Sequence, residues 1–323
     1  MTSGRHRRRR RIRERAREGL ALLPSLLTLG NMLCGFYAIV HVASVQWHDG
    51  LPSPERAFQH AAVAILLAMV FDMLDGRVAR MTRTTSDFGG QLDSLADAIS
   101  FGVAPAVMVA MLNSQARWDW SPEAAFWARM SWVFGAAYAS GAVIRLARFN
   151  TETASHSEDA HRYFKGLPSP AAAGVIATLV LLFYYGQSAR AERLSWIKPS
   201  LISIPQLLPF VALAAGYLMV SQFRYVHAAN VLLRGRKPFE YLTAVVFGGV
   251  LFALFPEPML ALTFCGFALT GPLLAFQRWM SPARATPLSL DAPAPGLPAG
   301  PPQDRGEPPR HDAPLEKPAT PRP

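Results

Sequence analysis

Charge is scarce in this chain. Asp, Glu, Lys and Arg make up 17% of its 323 residues, against about 25% in an ordinary soluble domain. Cysteine is scarcer still, at two residues, which excludes a disulfide-built secreted module. Cys34 and Cys265 both lie in apolar runs, with no His or Cys partner at metal-ligand spacing. They read as small packing or lipid-facing residues. No Gly-X-Y period and no internal repeat is present, so a collagen-like or solenoid chain is excluded. With 51% hydrophobic residues, the chain as a whole is too apolar to be disordered.

The little charge there is sits unevenly. The formal net charge is +10, and residues 1–19 hold nine Arg against two Glu. Residues 281–323 are neutral overall and contain 13 of the 27 prolines. We therefore divide the chain into a basic arm (1–19), an apolar body (20–280) and a Pro-rich tail (281–323) expected to be disordered. A basic arm can bind nucleic acid, target an organelle or lie on an anionic leaflet. Placed directly before an apolar span, it is best explained by cytoplasmic retention and lipid-surface contact, with no nucleic-acid partner.

The body contains apolar stretches of spanning length near 20–45, 58–80, 90–112, 125–147, 167–186, 200–220, 240–255 and 257–277. The expected fold is all-α, a polytopic membrane protein with about eight transmembrane helices. Phe255-Pro256-Glu257-Pro258 reads as a tight turn between the last two. An even count puts both termini on one side. Basic residues then concentrate in the loops on the N-terminal side, among them Arg77, Arg83, Arg145, Arg148, Arg162, Lys165 and Arg234. By the positive-inside rule that side is cytoplasmic.

Within the apolar helices of this body, four aspartates fall in 26 residues, Asp72, Asp75, Asp93 and Asp97, with Asp87 in the polar stretch between them. Ionisable groups in membrane helices are costly and usually functional. Asp72, Asp75, Gly76, Ala79 and Arg80 share one helical face, and Asp93 and Asp97 form an i, i+4 pair preceded by Gly89. A short turn over 81–88 makes the two helices antiparallel and lets the four carboxylates converge. Clustered carboxylates need a counter-charge. Oxygen-only donors suit Mg²⁺ or Mn²⁺, as one ion or two, or Ca²⁺. Gly76, Ala79 and Gly89 leave room for a diphosphate, and Arg80 offers a guanidinium to clamp it. Buried aspartates also line cation paths in transporters. The small residues and the arginine on the carboxylate face favour phosphoryl transfer instead.

The pattern Asp72-x-x-Asp75-Gly76-x-x-Ala79-Arg80, eight residues, Gly89-x-x-x-Asp93-x-x-x-Asp97 resembles the full signature of the CDP-alcohol phosphotransferases. That resemblance implies a six-helix catalytic core, a homodimer and a cytoplasm-facing site. It implies that Asp72, Asp75, Asp93 and Asp97 bind divalent metal, that Asp97 is also the general base, and that Gly76, Ala79, Arg80 and Gly89 border the CDP moiety. The segments 23–35, 145–150 and 164–174 are similar to the phosphatidylserine synthase branch, although Ser25 stands where that branch often has Asn. This branch implies CDP-diacylglycerol and L-serine as substrates in a bacterial inner membrane. Arg145, Arg148, Asn150 and Lys165 are then candidates to hold the serine. The same basic group also suits another acceptor: glycerol 3-phosphate, inositol or inositol phosphate.

Overall fold

The structure, a computed structural model, describes residues 3–45, 53–82, 87–114, 122–154, 164–188, 203–225 and 238–280. Residues up to Met280 form one compact unit. The Pro-rich tail, residues 281–323, lies outside the described residues. The order of elements is α1 (Ser3–Ser44), α2 (Pro54–Thr82), α3 (Asp87–Asp97), a π-helical turn (Ala98–Val103), α4 (Ala104–Ser114), α5 (Pro122–Ala154), β1 (Phe164–Lys165), α6 (Ser169–Gln187), α7 (Ile204–Val220), β2 (Arg224–Tyr225), α8 (Pro238–Leu254) and α9 (Pro256–Met280).

Each of the eight apolar stretches is mostly helical in its described residues. Among the described residues, five helical segments are long and apolar enough to cross a membrane: Leu22–Ser44, Pro54–Thr82, Phe88–Ser114, Ser169–Gln187 and Pro256–Gln277. The chain is an integral membrane protein. Helices α7 and α8, at 17 residues each, reach about 26 Å, short of a hydrocarbon core of about 30 Å. Helix α1 runs without a break from the basic arm into its apolar part. Between α8 and α9 only Phe255 leaves the helix. The N–H of Phe255 donates to Leu251 O, and that of Met259 to Phe255 O, so the expected turn is one non-helical residue.

The core lies where α2, α4, α5, α6 and α7 meet, around the fully buried Phe58, Ile65, Phe101, Met108, Tyr138, Ile176 and Leu208. Small residues allow close helix contact there, as in other membrane bundles. A Cβ on Gly141 of α5 would stand 2.8 Å from Gly216 O of α7, and one on Gly216 would stand 3.0 Å from Tyr138 Cα. Glycine at both positions lets the two backbones touch.

Prolines are the second organising feature. A proline within a helix has no N–H for the carbonyl four residues before it. In a membrane that carbonyl needs another donor. Pro105 frees Phe101 O, which accepts from the Tyr138 hydroxyl at 2.7 Å. Pro209 frees Pro205 O, which accepts from Asn113 Nδ2 at 2.6 Å. Pro272 frees Ala268 O, which accepts from the Tyr225 hydroxyl at 3.1 Å. Each joint is thus closed by a side chain from elsewhere in the sequence, and the joints also fasten the bundle.

Tyr225 reaches its partner from the small antiparallel pair β1–β2, in which Phe164 faces Tyr225 and Lys165 faces Arg224. Gly166 follows at φ +82°, and a Cβ there would strike Met219 O. Its N–H donates to Phe223 O and that of Leu167 to Leu218 O. This glycine anchors the start of α6 against the end of α7.

Candidate active site

Helices α1 and α2 pack along each other more extensively than any other pair. This contact brings α1 polar residues against the α2 carboxylates. Thr28 and Asn31 sit three residues apart on α1, both buried. The Thr28 hydroxyl lies 2.9 Å from Asp75 Oδ2 and 3.0 Å from Pro24 O. Its single proton can serve one of these oxygens at a time. Asn31 Nδ2 donates to Asp97 Oδ1 at 2.9 Å.

Asp72 and Asp75 of α2 meet Asp93 of α3. One carboxylate oxygen from each lies within 4.8 Å of the others, with Asp75 buried and the other two half-buried. Asp97 is outside that set of three. It stands close enough to Asp72, Asp75 and Asp93 to feel their charge, and it is held by Asn31. The π-helical turn begins immediately after Asp97. Its Ser100 hydroxyl donates to Asn31 O at 2.9 Å. A Cβ on Gly35 would stand 2.6 Å from Ser100 Cα, so glycine is what permits this approach. Turns of this kind recur at functional sites.

The predicted diphosphate-facing residues lie on the same two helices as the carboxylates. Gly76 has open space over it, since a Cβ there meets nothing within 4 Å. Packing therefore does not require glycine at this point. Ala79 and Gly89 are half-buried. Arg80 is exposed and donates from Nε to Gly76 O at 3.0 Å, which lays its side chain along the same face.

The predicted acceptor residues divide. Arg145 of α5 comes into the site. It feels the charge of Asp97, and its Nη1 donates to Ser169 Oγ at 3.0 Å. Asn150 Oδ1 accepts from Ser94 Oγ at 3.1 Å, next to Asp93 in sequence. Arg148 is half-buried. The backbone of Lys165 is fixed by its pairing with Arg224, while its side chain lies outside the described residues.

Thr28, Asn31, Ser94 and Ser169 were not singled out from the sequence. A signal for the first two exists: polar residues at i, i+3 inside an apolar helix share a face that needs a polar partner. Nothing comparable marks Ser169 before its contact with Arg145 is known.

Three buried polar atoms at this end of the bundle have no hydrogen-bond partner among the described residues: Asn31 Oδ1, Asp93 Oδ1 and Arg145 Nε. Such atoms are rare in settled cores. Together with the open face at Gly76, they describe a chamber shaped for something polar. Three carboxylates at this spacing supply only oxygen donors, which fits a hard divalent cation and not zinc.

The comparisons agree with this chemistry. The CDP-alcohol phosphatidyltransferase family model matches residues 21–217. That span holds the helices from the apolar part of α1 through nearly all of α7. The chain is similar to the CDP-diacylglycerol–serine O-phosphatidyltransferase of Helicobacter pylori, 33% identical over 66% of this chain and 75% of the relative. It is similar to the enzyme of that name from Saccharomyces cerevisiae, 38% identical over 45% and 48%. It also resembles the archaetidylserine synthase of Methanothermobacter thermautotrophicus, 30% identical over 63% and 69%. With its matching helices, its gathered aspartates and these relatives, the chain belongs to the CDP-alcohol phosphatidyltransferase family.

Proposed function

We propose that this protein is a phosphatidylserine synthase, transferring the phosphatidyl group of CDP-diacylglycerol to L-serine with release of CMP. The observation that carries the reading is the convergence of Asp72, Asp75 and Asp93 beside Asp97 and Arg145. Its relatives bear the name of that activity.

Asp72, Asp75 and Asp93 would hold Mg²⁺ or Mn²⁺, as one ion or two, with Asp97 in reach as a further ligand. The chemistry such an ion supplies is neutralisation of the diphosphate and stabilisation of the CMP leaving group. The open face at Gly76, with Ala79, Arg80 and Gly89, receives the CDP moiety. Arg145 places a cation where the serine carboxylate needs one, with Asn150 beside it. Arg148 and Lys165 belong to the same basic side. Asp97 takes the serine hydroxyl proton as the oxygen bonds to the phosphatidyl phosphorus and the bond to CMP breaks. A base so placed contributes about 10²–10⁴-fold. Positioning and electrostatics supply the rest.

The reading includes a homodimer in a bacterial inner membrane, with the carboxylate end and both termini on the cytoplasmic side. The arginine arm supports that orientation. A panel of labelled acceptors tests the substrate. Purified protein given CDP-diacylglycerol should make phosphatidylserine from L-serine. Product from glycerol 3-phosphate or inositol and none from serine would reject serine as the acceptor.

A further inference from the structure

The three partnerless atoms of the chamber differ in kind. Asp93 Oδ1 belongs to the carboxylate set, and Arg145 Nε is a donor on a guanidinium, suited to an anion. Neither role accounts for Asn31 Oδ1, a buried acceptor on a fully buried side chain.

The direction in which that oxygen looks is set by the other edge of the same amide. The Asn31 NH₂ edge faces Asp97 Oδ1 at 2.9 Å, so the amide oxygen looks away from that carboxylate. The Asn31 backbone carbonyl is bound by Ser100, which approaches closely over Gly35. Leaving a buried acceptor unmet is costly. A donor delivered with the substrate would meet it.

We propose that Asn31 Oδ1 receives the ammonium group of L-serine, making Asn31 a specificity-determining residue. This rests on the serine reading above. In serine, the hydroxyl and the ammonium sit on adjacent carbons. One amide can therefore orient Asp97 with its nitrogen while its oxygen holds the ammonium next to the reacting hydroxyl. The carboxylate, the third polar group, is left for Arg145. Glycerol 3-phosphate and inositol bring no cation to this oxygen. They lose the charge-assisted hydrogen bond, which is the stronger kind.

The test uses the full-length protein and two acceptors, L-serine and 3-hydroxypropionate, which is serine without its amine. The readout is the ratio of their kcat/KM values. In Asn31→Leu, turnover falls with both acceptors because Asp97 loses its donor. The ratio should also fall by roughly 10- to 100-fold, as expected for a hydrogen bond to a charged group. In Asn31→Asp an oxygen is kept, so turnover falls but the preference for serine remains. An unchanged ratio in Asn31→Leu would overturn the proposal and leave Asn31 as a support for Asp97 alone. Should these variants not fold, the unaltered protein decides. Equal kcat/KM for the two acceptors means that the ammonium has no partner, and a strong preference for serine supports one. If the unaltered protein makes no phosphatidylserine at all, the serine reading itself is rejected, and this proposal with it.

Discussion

Two regions of this protein treat buried polar groups in opposite ways. At the proline joints, every carbonyl freed by Pro105, Pro209 or Pro272 finds a side-chain donor, from Tyr138, Asn113 or Tyr225. At the carboxylate end, Asn31 Oδ1, Asp93 Oδ1 and Arg145 Nε find none among the described residues. Both regions are built from helices of the same apolar body. The joints are complete without a ligand and hold the bundle together. The chamber is incomplete, and its missing partners have the chemistry of metal, phosphate and a zwitterionic acceptor. Substitutions in the first region should therefore change stability, and those in the second should change turnover.

The largest effect should come from Asp97→Asn. CMP release should drop by about 10²–10⁴-fold, with CDP binding and thermal stability retained. Near-normal turnover would remove Asp97 as the base. Next comes Arg145→Leu, which deletes a buried cation. The KM for serine should rise roughly 10- to 100-fold while that for CDP-diacylglycerol stays put. A matched rise in both KM values would argue for a role in shaping the whole site.

Asn113→Leu probes the other region. It strips the donor from Pro205 O and should lower stability by about 1 kcal/mol, read as a lower melting temperature in detergent, with kcat unchanged. The smallest structural effect belongs to Gly76→Ala. Nothing stands where the new methyl would go, so the helix should gain about 0.5–1 kcal/mol. The kcat/KM for CDP-diacylglycerol should fall nonetheless. A stabilised and fully active variant would remove Gly76 from the substrate face.

The same division decides what could be read from the sequence. Helices announced themselves through apolar length, and the meeting of Asp72 and Asp75 with Asp93 followed from their spacing across a short turn. These are local patterns. The donors that close the proline joints come from distant elements, and no spacing predicts that Tyr225 will meet Ala268. Asn31 is a polar residue in an apolar helix, which marks its face as needing a polar partner, but its contact with Asp97 depends on how α1 lies against α3. Ser169 became a site residue only through Arg145. The π-helical turn carries Ser100 against Gly35 of α1, a contact that no local pattern in the sequence announces.

The most direct test of the central claim, that the aspartate chamber carries out metal-assisted phosphatidyl transfer, is CMP release by the purified protein with each component omitted in turn. The account predicts CMP only when CDP-diacylglycerol, L-serine and Mg²⁺ or Mn²⁺ are present together. CMP release that persists without metal, or cation flux into vesicles with no CMP formed under any condition, would contradict it.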